Sequence, residues 1–213
     1  MEWLWEAVHR IRYNAMCMLA KYSKNLQKSR RMKGNIGKAC TNGGIKWYGI
    51  HDDKTRYSAQ KGDADLNRIE DVANFFLEKE EMTHKKLQKL CYYAVAWGYA
   101  LTDKPIVVNP KFEAWRHGPV SPDLYSKYKG NSWKLLKPDK PVPNFDGTTL
   151  DLLESVWLTY GEETANGLEA LSHSELPWKI ARGGCSSDER CTVEISVSDM
   201  KRYYKSIYIG DEA

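Results

Sequence analysis

One helical segment near the middle of the chain constrains the fold more than any other part of the sequence. Between Thr83 and Leu101, apolar and aromatic side chains recur at helical spacing, at Leu87, Leu90, Cys91, Ala94, Val95, Trp97, Gly98 and Leu101. A surface helix needs an apolar stripe only about 100° wide, so this broader stripe must be covered on more than one side. Thr83 can cap the first turn. The sequence therefore predicts a central, buried helix.

Shorter amphipathic segments on both sides of this helix indicate a mainly α fold. Asn67 and Glu70 predict the start of a preceding helix, whose apolar stripe is Ile69, Val72, Ala73, Phe76 and Leu77. Helical spacing resumes at Leu150, Leu153, Trp157 and Tyr160, continues at Leu168 and Leu171, and returns after a cap at Ser198. We expect a helical domain with a short β-hairpin or minor strands.

The minor strands and the turns have their own sequence signals. The β-branched run 106–108 predicts a small strand, and the alternation of apolar and polar residues over 193–197 predicts a half-exposed one. Between Phe112 and Pro122, two prolines and one glycine predict a rigid turn that leads into a helix from Asp123 to Tyr128.

The charge divides the chain into two parts of opposite sign. Residues 1–62 have 13 basic and 4 acidic side chains, a net charge of +9, whereas residues 63–213 have 19 basic and 24 acidic ones, a net charge of −5. We therefore expect a basic N-terminal extension over 1–62 and a helical domain over 63–213. The extension can bind nucleic acid, an anionic membrane surface, an acidic partner or the acidic half of the same chain, and it can also be simply solvated.

Within the extension, the sequence predicts an amphipathic helix followed by a glycine-rich loop. The helical stripe is Leu4, Val8, Ile11, Ala15, Met18 and Tyr22, and docking onto the rest of the chain or onto a second copy is the favoured interpretation. No uninterrupted apolar run approaches the roughly 20 residues of a membrane span, and charged residues interrupt the first apolar runs where a signal peptide would need continuity. We expect a cytoplasmic protein.

The five cysteines predict neither a disulfide framework nor a zinc site, because they are scattered without a C-x-x-C pair. Cys185 and Cys191 are close enough in sequence to form a bridge or share a metal, but no histidine lies near them. No metal or other cofactor is expected.

Three segments resemble one protein family. They are Met82 to Trp97 (MTHKKLQKLCYYAVAW), Phe112 to Val120 (FEAWRHGPV) with Tyr125, and Leu171 to Trp178 (LSHSELPW). In order and spacing they are similar to the signature blocks of the Panacea family, also called the SocA-like or GepA-like domain. The resemblance covers residues 67–208 and leaves the basic extension unmatched.

The resemblance implies an antitoxin of a bacterial or phage toxin–antitoxin pair, with a mainly helical fold and no enzymatic activity. Family members bind their cognate toxins directly, and one branch delivers its toxin to a cytoplasmic protease, so that an adaptor role is a further expectation. We place the hypothetical toxin-binding residues at the turn, at Glu113, Trp115, Arg116, His117, Gly118, Pro119 and Tyr125. His173, Glu175 and Trp178 are expected to form a supporting network. The sequence also allows the chain to form a homodimer.

Two alternative functions come from the same sequence. Glu113, His117 and His173 together could transfer protons near pH 7, which would make this a catalytic domain. The structural interpretation is favoured, with Glu113 accepting backbone N–H groups and His173 capping a helix, because no nucleophile accompanies them. The ten Lys and Arg residues between Arg10 and Lys46, interleaved with aromatic residues, would instead suit a nucleic-acid-binding regulator.

Overall fold

A computed structural model describes residues 67–131, 133–186 and 188–209. The proposed extension over 1–62, with its amphipathic helix and glycine-rich loop, lies outside the described residues. Within the described part, seven helices and four short strands follow one another in the order α1 (Ile69–Lys79), β1 (Met82–Thr83), α2 (His84–Thr102), β2 (Glu113–Trp115), β3 (Gly118–Val120), α3 (Pro122–Tyr128), β4 (Leu135–Leu136), α4 (Gly147–Tyr160), α5 (Ala165–Ser174), α6 (Leu176–Arg182) and α7 (Val197–Ile209). The predicted fold class is confirmed. No helix among these residues is long and apolar enough to cross a membrane.

The central helix is α2, as the width of its apolar stripe predicted. Every residue from Leu87 to Gly98 is buried, and α1, α4, α5 and α7 pack around it. The Thr83 hydroxyl accepts a hydrogen bond from the Lys86 N–H at 3.4 Å and caps the helix. Asp103 ends it in the left-handed conformation, with φ 59°. The core therefore surrounds one helix, which also reaches the hairpin described below.

Local hydrogen bonds set the ends of the other helices. Helix α1 begins one residue later than predicted, because the Arg68 N–H donates to the Asp71 carboxylate at 2.8 Å. The Asp146 carboxylate accepts from the N–H groups of Thr148 and Thr149, both at 3.0 Å, and begins α4. Within the polar loop that precedes α4, Leu135 and Leu136 pair antiparallel with β1.

Both separate strand predictions were wrong in extent. At 106–108 the residues that the structure describes make only one bridge, between Val107 and Asn67, because Pro105 lacks an N–H and Asn109 turns the chain at a φ of 44°. Over 193–197 the backbone makes one bridge, between Glu194 and Glu113, before α7 begins. The expected alternation fails as well, since Val193 is exposed on the hairpin edge.

Two further expectations near the C-terminal end need correction. Ser198 lies inside α7 and does not cap it, because the helix begins at Val197 and the Met200 N–H donates to the Ser196 carbonyl. Cys185 and Cys191 form a disulfide, which the scattered cysteines did not predict. The loop between α6 and the hairpin edge brings these two side chains together, and sequence spacing alone does not show that geometry.

Candidate functional site

The rigid turn of the sequence is a β-hairpin in the structure. Strand β2 pairs antiparallel with β3, with Glu113 opposite Val120 and Trp115 opposite Gly118. Arg116 and His117 form the turn. Gly118 has a φ of 91°, and a Cβ there would lie 2.7 Å from both Lys89 Cε and Ser172 Oγ. Only glycine fits this backbone conformation and this close approach.

The central helix α2 supports the hairpin from below. The Lys89 Nζ donates to the Pro119 carbonyl at 2.9 Å, and the Gln88 side chain bonds both the N–H and the carbonyl of Ser121. Burial lowers the pKa of Lys89 to about 7, against the opposing effect of the nearby Glu169 carboxylate. Two polar side chains on the most buried helix therefore fix the position of β3.

Helix α6 supports the hairpin from the side. The Trp178 indole N–H donates to the Trp115 carbonyl at 3.1 Å, and the Arg182 guanidinium donates to the Ala114 carbonyl at 3.3 Å. The Ala114 N–H in turn donates to the Val193 carbonyl at 2.9 Å. Strand β2 is thus held on both of its edges, which positions the side chains at the tip of the hairpin.

A groove of about 330 Å³ opens beside this tip, and we call it the hairpin groove. It is lined by Trp115, Arg116, His117, Val120, Tyr125, Asp188 and Arg190. The rings of Trp115 and Tyr125 lie 4.7 Å apart at a tilt of 60° and form its aromatic floor. The Trp115 indole N–H donates to the Glu113 carboxylate at 2.8 Å, which fixes the orientation of that ring.

Charged side chains form the rim of the hairpin groove. Arg116 pairs with Asp188 at 3.0 Å, and the Arg190 guanidinium lies 5.4 Å from the centre of the Trp115 ring. His117 Nδ1 lies 2.9 Å from the Glu169 carboxylate, which also pairs with Lys85. Burial of Glu169 opposes ionisation, but the hydrogen bonds from Lys85 and His117 outweigh it and lower the pKa of this carboxyl.

The three residues of the expected supporting network have different surroundings. His173 does not cap its helix; its ring stacks on Trp178 with centroids 4.0 Å apart, and burial lowers its pKa. Glu175 faces the core, where its carboxylate accepts hydrogen bonds from the hydroxyls of Tyr204 at 2.6 Å and Tyr93 at 3.3 Å. Trp178 therefore contacts the hairpin directly, His173 contacts it through Trp178, and Glu175 anchors the start of α6.

The three residues of the catalytic alternative are not hydrogen-bonded to one another in the described part of the chain. Glu113 binds the Trp115 indole and Lys111, and not the backbone N–H groups that we expected. His117 is exposed at the rim and binds Glu169, whereas His173 is half-buried against Trp178. The nearby His117 adds to the effect of burial in lowering the pKa of His173.

Sequence reasoning missed two groups of residues at this site. Asp188 and Arg190 reach the groove from a loop with no recognisable motif. Lys89 did have a signal, because it is a charged residue within the buried stripe of α2. A lysine on such a face needs a polar partner, and here that partner is the hairpin backbone.

Comparison with known proteins identifies the family. The chain matches the family described as "Antitoxin SocA-like, Panacea domain" over residues 87–179. It is also 35% identical over 133 residues to a protein named "Antitoxin SocA" from Caulobacter vibrioides (strain NA1000 / CB15N), an alignment that covers 53% of this chain and 69% of that protein. The chain belongs to the SocA-like Panacea family. No solved structure matches it significantly.

The segment matched by the Panacea family contains most of the hairpin groove, but not all of it. It includes α2 from Leu87 onward, the hairpin, Tyr125 and Trp178, and it ends at residue 179. The loop with Asp188 and Arg190 follows that segment. One side of the groove is therefore built by the matched part of the Panacea domain and the other by residues beyond it.

Proposed function

We propose that this chain is the antitoxin of a toxin–antitoxin pair and that it neutralises its toxin non-catalytically, by direct binding at the hairpin groove. The observation that carries the proposal is the groove itself. Four of the residues expected to contact the toxin, Trp115, Arg116, His117 and Tyr125, line it together. In this proposal Glu113, Gly118 and Pro119 position the hairpin and do not contact the toxin.

The residues of the groove suit a particular kind of toxin segment. Trp115 and Tyr125 provide an aromatic floor, and large rings with a polar edge are common anchors in protein interfaces. Arg116, Arg190 and His117 are on the rim with a single carboxylate, Asp188, which pairs with Arg116. Among the described residues, no carboxylate pairs with Arg190. We therefore propose that the toxin presents an apolar side chain beside a carboxylate.

The proposal places toxin binding in the domain over 63–213, with the basic extension over 1–62 as a separate unit of that chain. We also propose that the pair acts in the cytoplasm. Delivery of the bound toxin to a protease by this chain is a separate expectation. An assay of the toxin half-life in cells would measure it.

Co-expression with the product of the neighbouring gene tests the antitoxin role. We expect that product alone to stop growth and this chain to restore growth and to co-purify with it. The proposal is wrong if the product is harmless alone, or if it stays lethal and unbound in the presence of this chain.

A charge reversal tests the groove. Replacing Arg190 with Glu removes its ion pair with the proposed toxin carboxylate and puts a repulsion in its place. We therefore expect the toxin affinity to fall by about 2 kcal/mol, roughly 30-fold. Arg202→Glu is the matched control, because Arg202 is an exposed arginine on α7 that does not line the groove. Calorimetric titration of toxin into each variant measures the difference. If the two variants bind the toxin with equal affinity, the hairpin groove is not the toxin-binding site.

A further inference from the structure

The loop that completes the hairpin groove has a cross-link at its base. It leaves α6 after Arg182 and rejoins the hairpin at Val193, whose carbonyl accepts from the Ala114 N–H. Cys185 and Cys191 are bridged, with Cα atoms 6.0 Å apart. Both groove residues of this loop, Asp188 and Arg190, lie between the two cysteines and so within the cross-linked ring.

One buried guanidinium joins the loop to the hairpin. Arg182 is 6% exposed, and it donates to the carbonyls of Ala114, Ser186 and Glu189. Ser186 and Glu189 lie on both sides of Asp188, so Arg182 holds this stretch of the loop against β2. The disulfide adds a second constraint, because it ties Cys191, the residue after Arg190, back to Cys185.

The contacts that the loop makes across the groove are weak by themselves. The Arg116–Asp188 pair is exposed on both sides, at 57% and 79% of the two side chains. Exposed ion pairs and exposed cation–π contacts such as that of Arg190 on Trp115 each change an equilibrium only a fewfold. Contacts of this strength persist only where the backbone already holds the side chains in place. The position of this side of the groove therefore depends on the backbone constraint, and the disulfide is part of that constraint.

We infer that Cys185 and Cys191 are a reversible thiol–disulfide site, exchanged by a small thiol of the glutathione class, and that the bridge fixes Asp188 and Arg190 at the hairpin groove. The bridged form presents the complete groove, and the reduced form releases this side of it. The consequence for toxin binding rests on the function proposed above. A disulfide in a reducing compartment is more often a redox sensor than a permanent structural bridge.

The exchange is balanced in two steps. Cys185 is half-buried and Cys191 is 1% exposed, so an external thiolate reaches the Cys185 sulfur first. Its attack forms a mixed disulfide at Cys185, breaks the Cys185–Cys191 bond and releases Cys191 as a thiolate, which takes up a proton. A second thiolate attacks the sulfur of the bound small thiol and releases Cys185 together with the oxidised small disulfide. Two small thiols are oxidised and one protein disulfide is reduced.

The first test needs no toxin. In full-length protein with Cys17→Ser and Cys40→Ser, incubation in glutathione buffers, acid quenching and alkylation after unfolding should give one alkyl group on the bridged form and three on the reduced form. The remaining free cysteine is Cys91, which is buried and whose thiol pKa burial raises, so it should not exchange in the folded protein. If the number of alkyl groups per chain is the same in every glutathione buffer, the inference is wrong.

The second measurement asks whether the bridge controls the groove. The Trp115 indole N–H cross-peak in a 15N–1H spectrum, assigned with Trp115→Phe, should shift when the wild-type bridge is reduced, because Arg190 moves away from the ring. Cys185→Ser with Cys191→Ser should give the reduced position in every buffer. A cross-peak that does not move when the bridge forms or breaks would also overturn the inference.

Toxin binding separates this inference from the proposed function. We expect reduction to weaken toxin binding about tenfold in the wild type and to have no effect on the double serine variant. If toxin binds with the same affinity in both redox states, the bridge does not control the groove and the inference is wrong. If toxin binds in neither state while the bridge and the Trp115 signal still respond, the proposed function fails and the thiol–disulfide site remains.

Discussion

Replacing Gly118 with alanine would strain the hairpin in two separable ways. At a φ of 91° any residue with a Cβ is in an unfavourable backbone region, at a cost of about 1 kcal/mol, part of which is offset by the smaller entropy of the unfolded chain. In addition, the new Cβ would lie 2.7 Å from Lys89 Cε and Ser172 Oγ. Both neighbours must move, and overpacking of this kind costs about 1–3 kcal/mol.

Gly130 is a matched control for the first effect. Its φ is 92°, nearly that of Gly118, but a Cβ there would have no neighbour within 4 Å. Gly130→Ala therefore measures the backbone cost alone. We expect Gly118→Ala to lower the free energy of unfolding by about 2 kcal/mol more than Gly130→Ala does.

Urea unfolding of the full chain, followed by circular dichroism, measures both changes. The displaced Lys89 would also weaken its hydrogen bond to the Pro119 carbonyl, so toxin affinity should fall for Gly118→Ala and stay unchanged for Gly130→Ala. If the two variants unfold at the same urea concentration, the close approach of the hairpin to α2 is not tight, and the reasoning about the support of β3 is refuted.

Other substitutions test the remaining supports of the site. The pKa of Lys89 is lowered to about 7, so above that pH the unfolded chain binds one more proton than the folded chain. The free energy of unfolding should therefore rise between pH 7 and 8.5, by at most about 1.4 kcal/mol per pH unit. Lys89→Met should remove this rise, which urea titrations across that pH range measure. The raised pKa of Cys91 acts in the opposite direction only at higher pH. If the free energy of unfolding has the same slope against pH in both proteins, the lowered pKa of Lys89 is contradicted. Glu175→Ala leaves the two buried tyrosine hydroxyls without their acceptor, so it should destabilise the fold by about 3 kcal/mol in thermal or urea unfolding. A change below about 1 kcal/mol would mean that water replaces the carboxylate. Trp178→Phe keeps a ring in place but loses the hydrogen bond to the Trp115 carbonyl, so it should cost about 1 kcal/mol of stability and weaken toxin binding, and an unchanged affinity would show that this contact does not position the groove.

The central helix was predictable because its signals are local. The Thr83 cap and the wide apolar stripe depend only on residues within a few turns of one another, and the structure confirms both. The bridges at 107 and 194 show the opposite case. A β-branched or alternating run indicates a strand only if a partner lies beside it for several residues, and Pro105 and the start of α7 end the pairing early.

At the site, sequence pattern found a rigid turn where the structure has a hairpin, and it did not find the opposite side of the groove. Trp115, Arg116 and His117 belong to a block with two structure-defining residues, Gly118 and Pro119, and that block is one of the three that carried the resemblance. Asp188 and Arg190 are polar residues in a loop, and their role depends on a chain path that brings the loop back to β2. A long-range approach of this kind leaves no periodicity in the sequence.

The different supports of the two sides of the groove have a consequence for how such a protein can diverge. The hairpin is bonded to Gln88 and Lys89 of the central helix, so a substitution that shifts it also disturbs the core. The loop with Asp188 and Arg190 lies at the surface, and its side chains can be exchanged without a loss of core packing. Under the proposed function, selection for a new toxin can therefore act on that loop while the hairpin keeps its place, which separates the evolution of specificity from the preservation of folding.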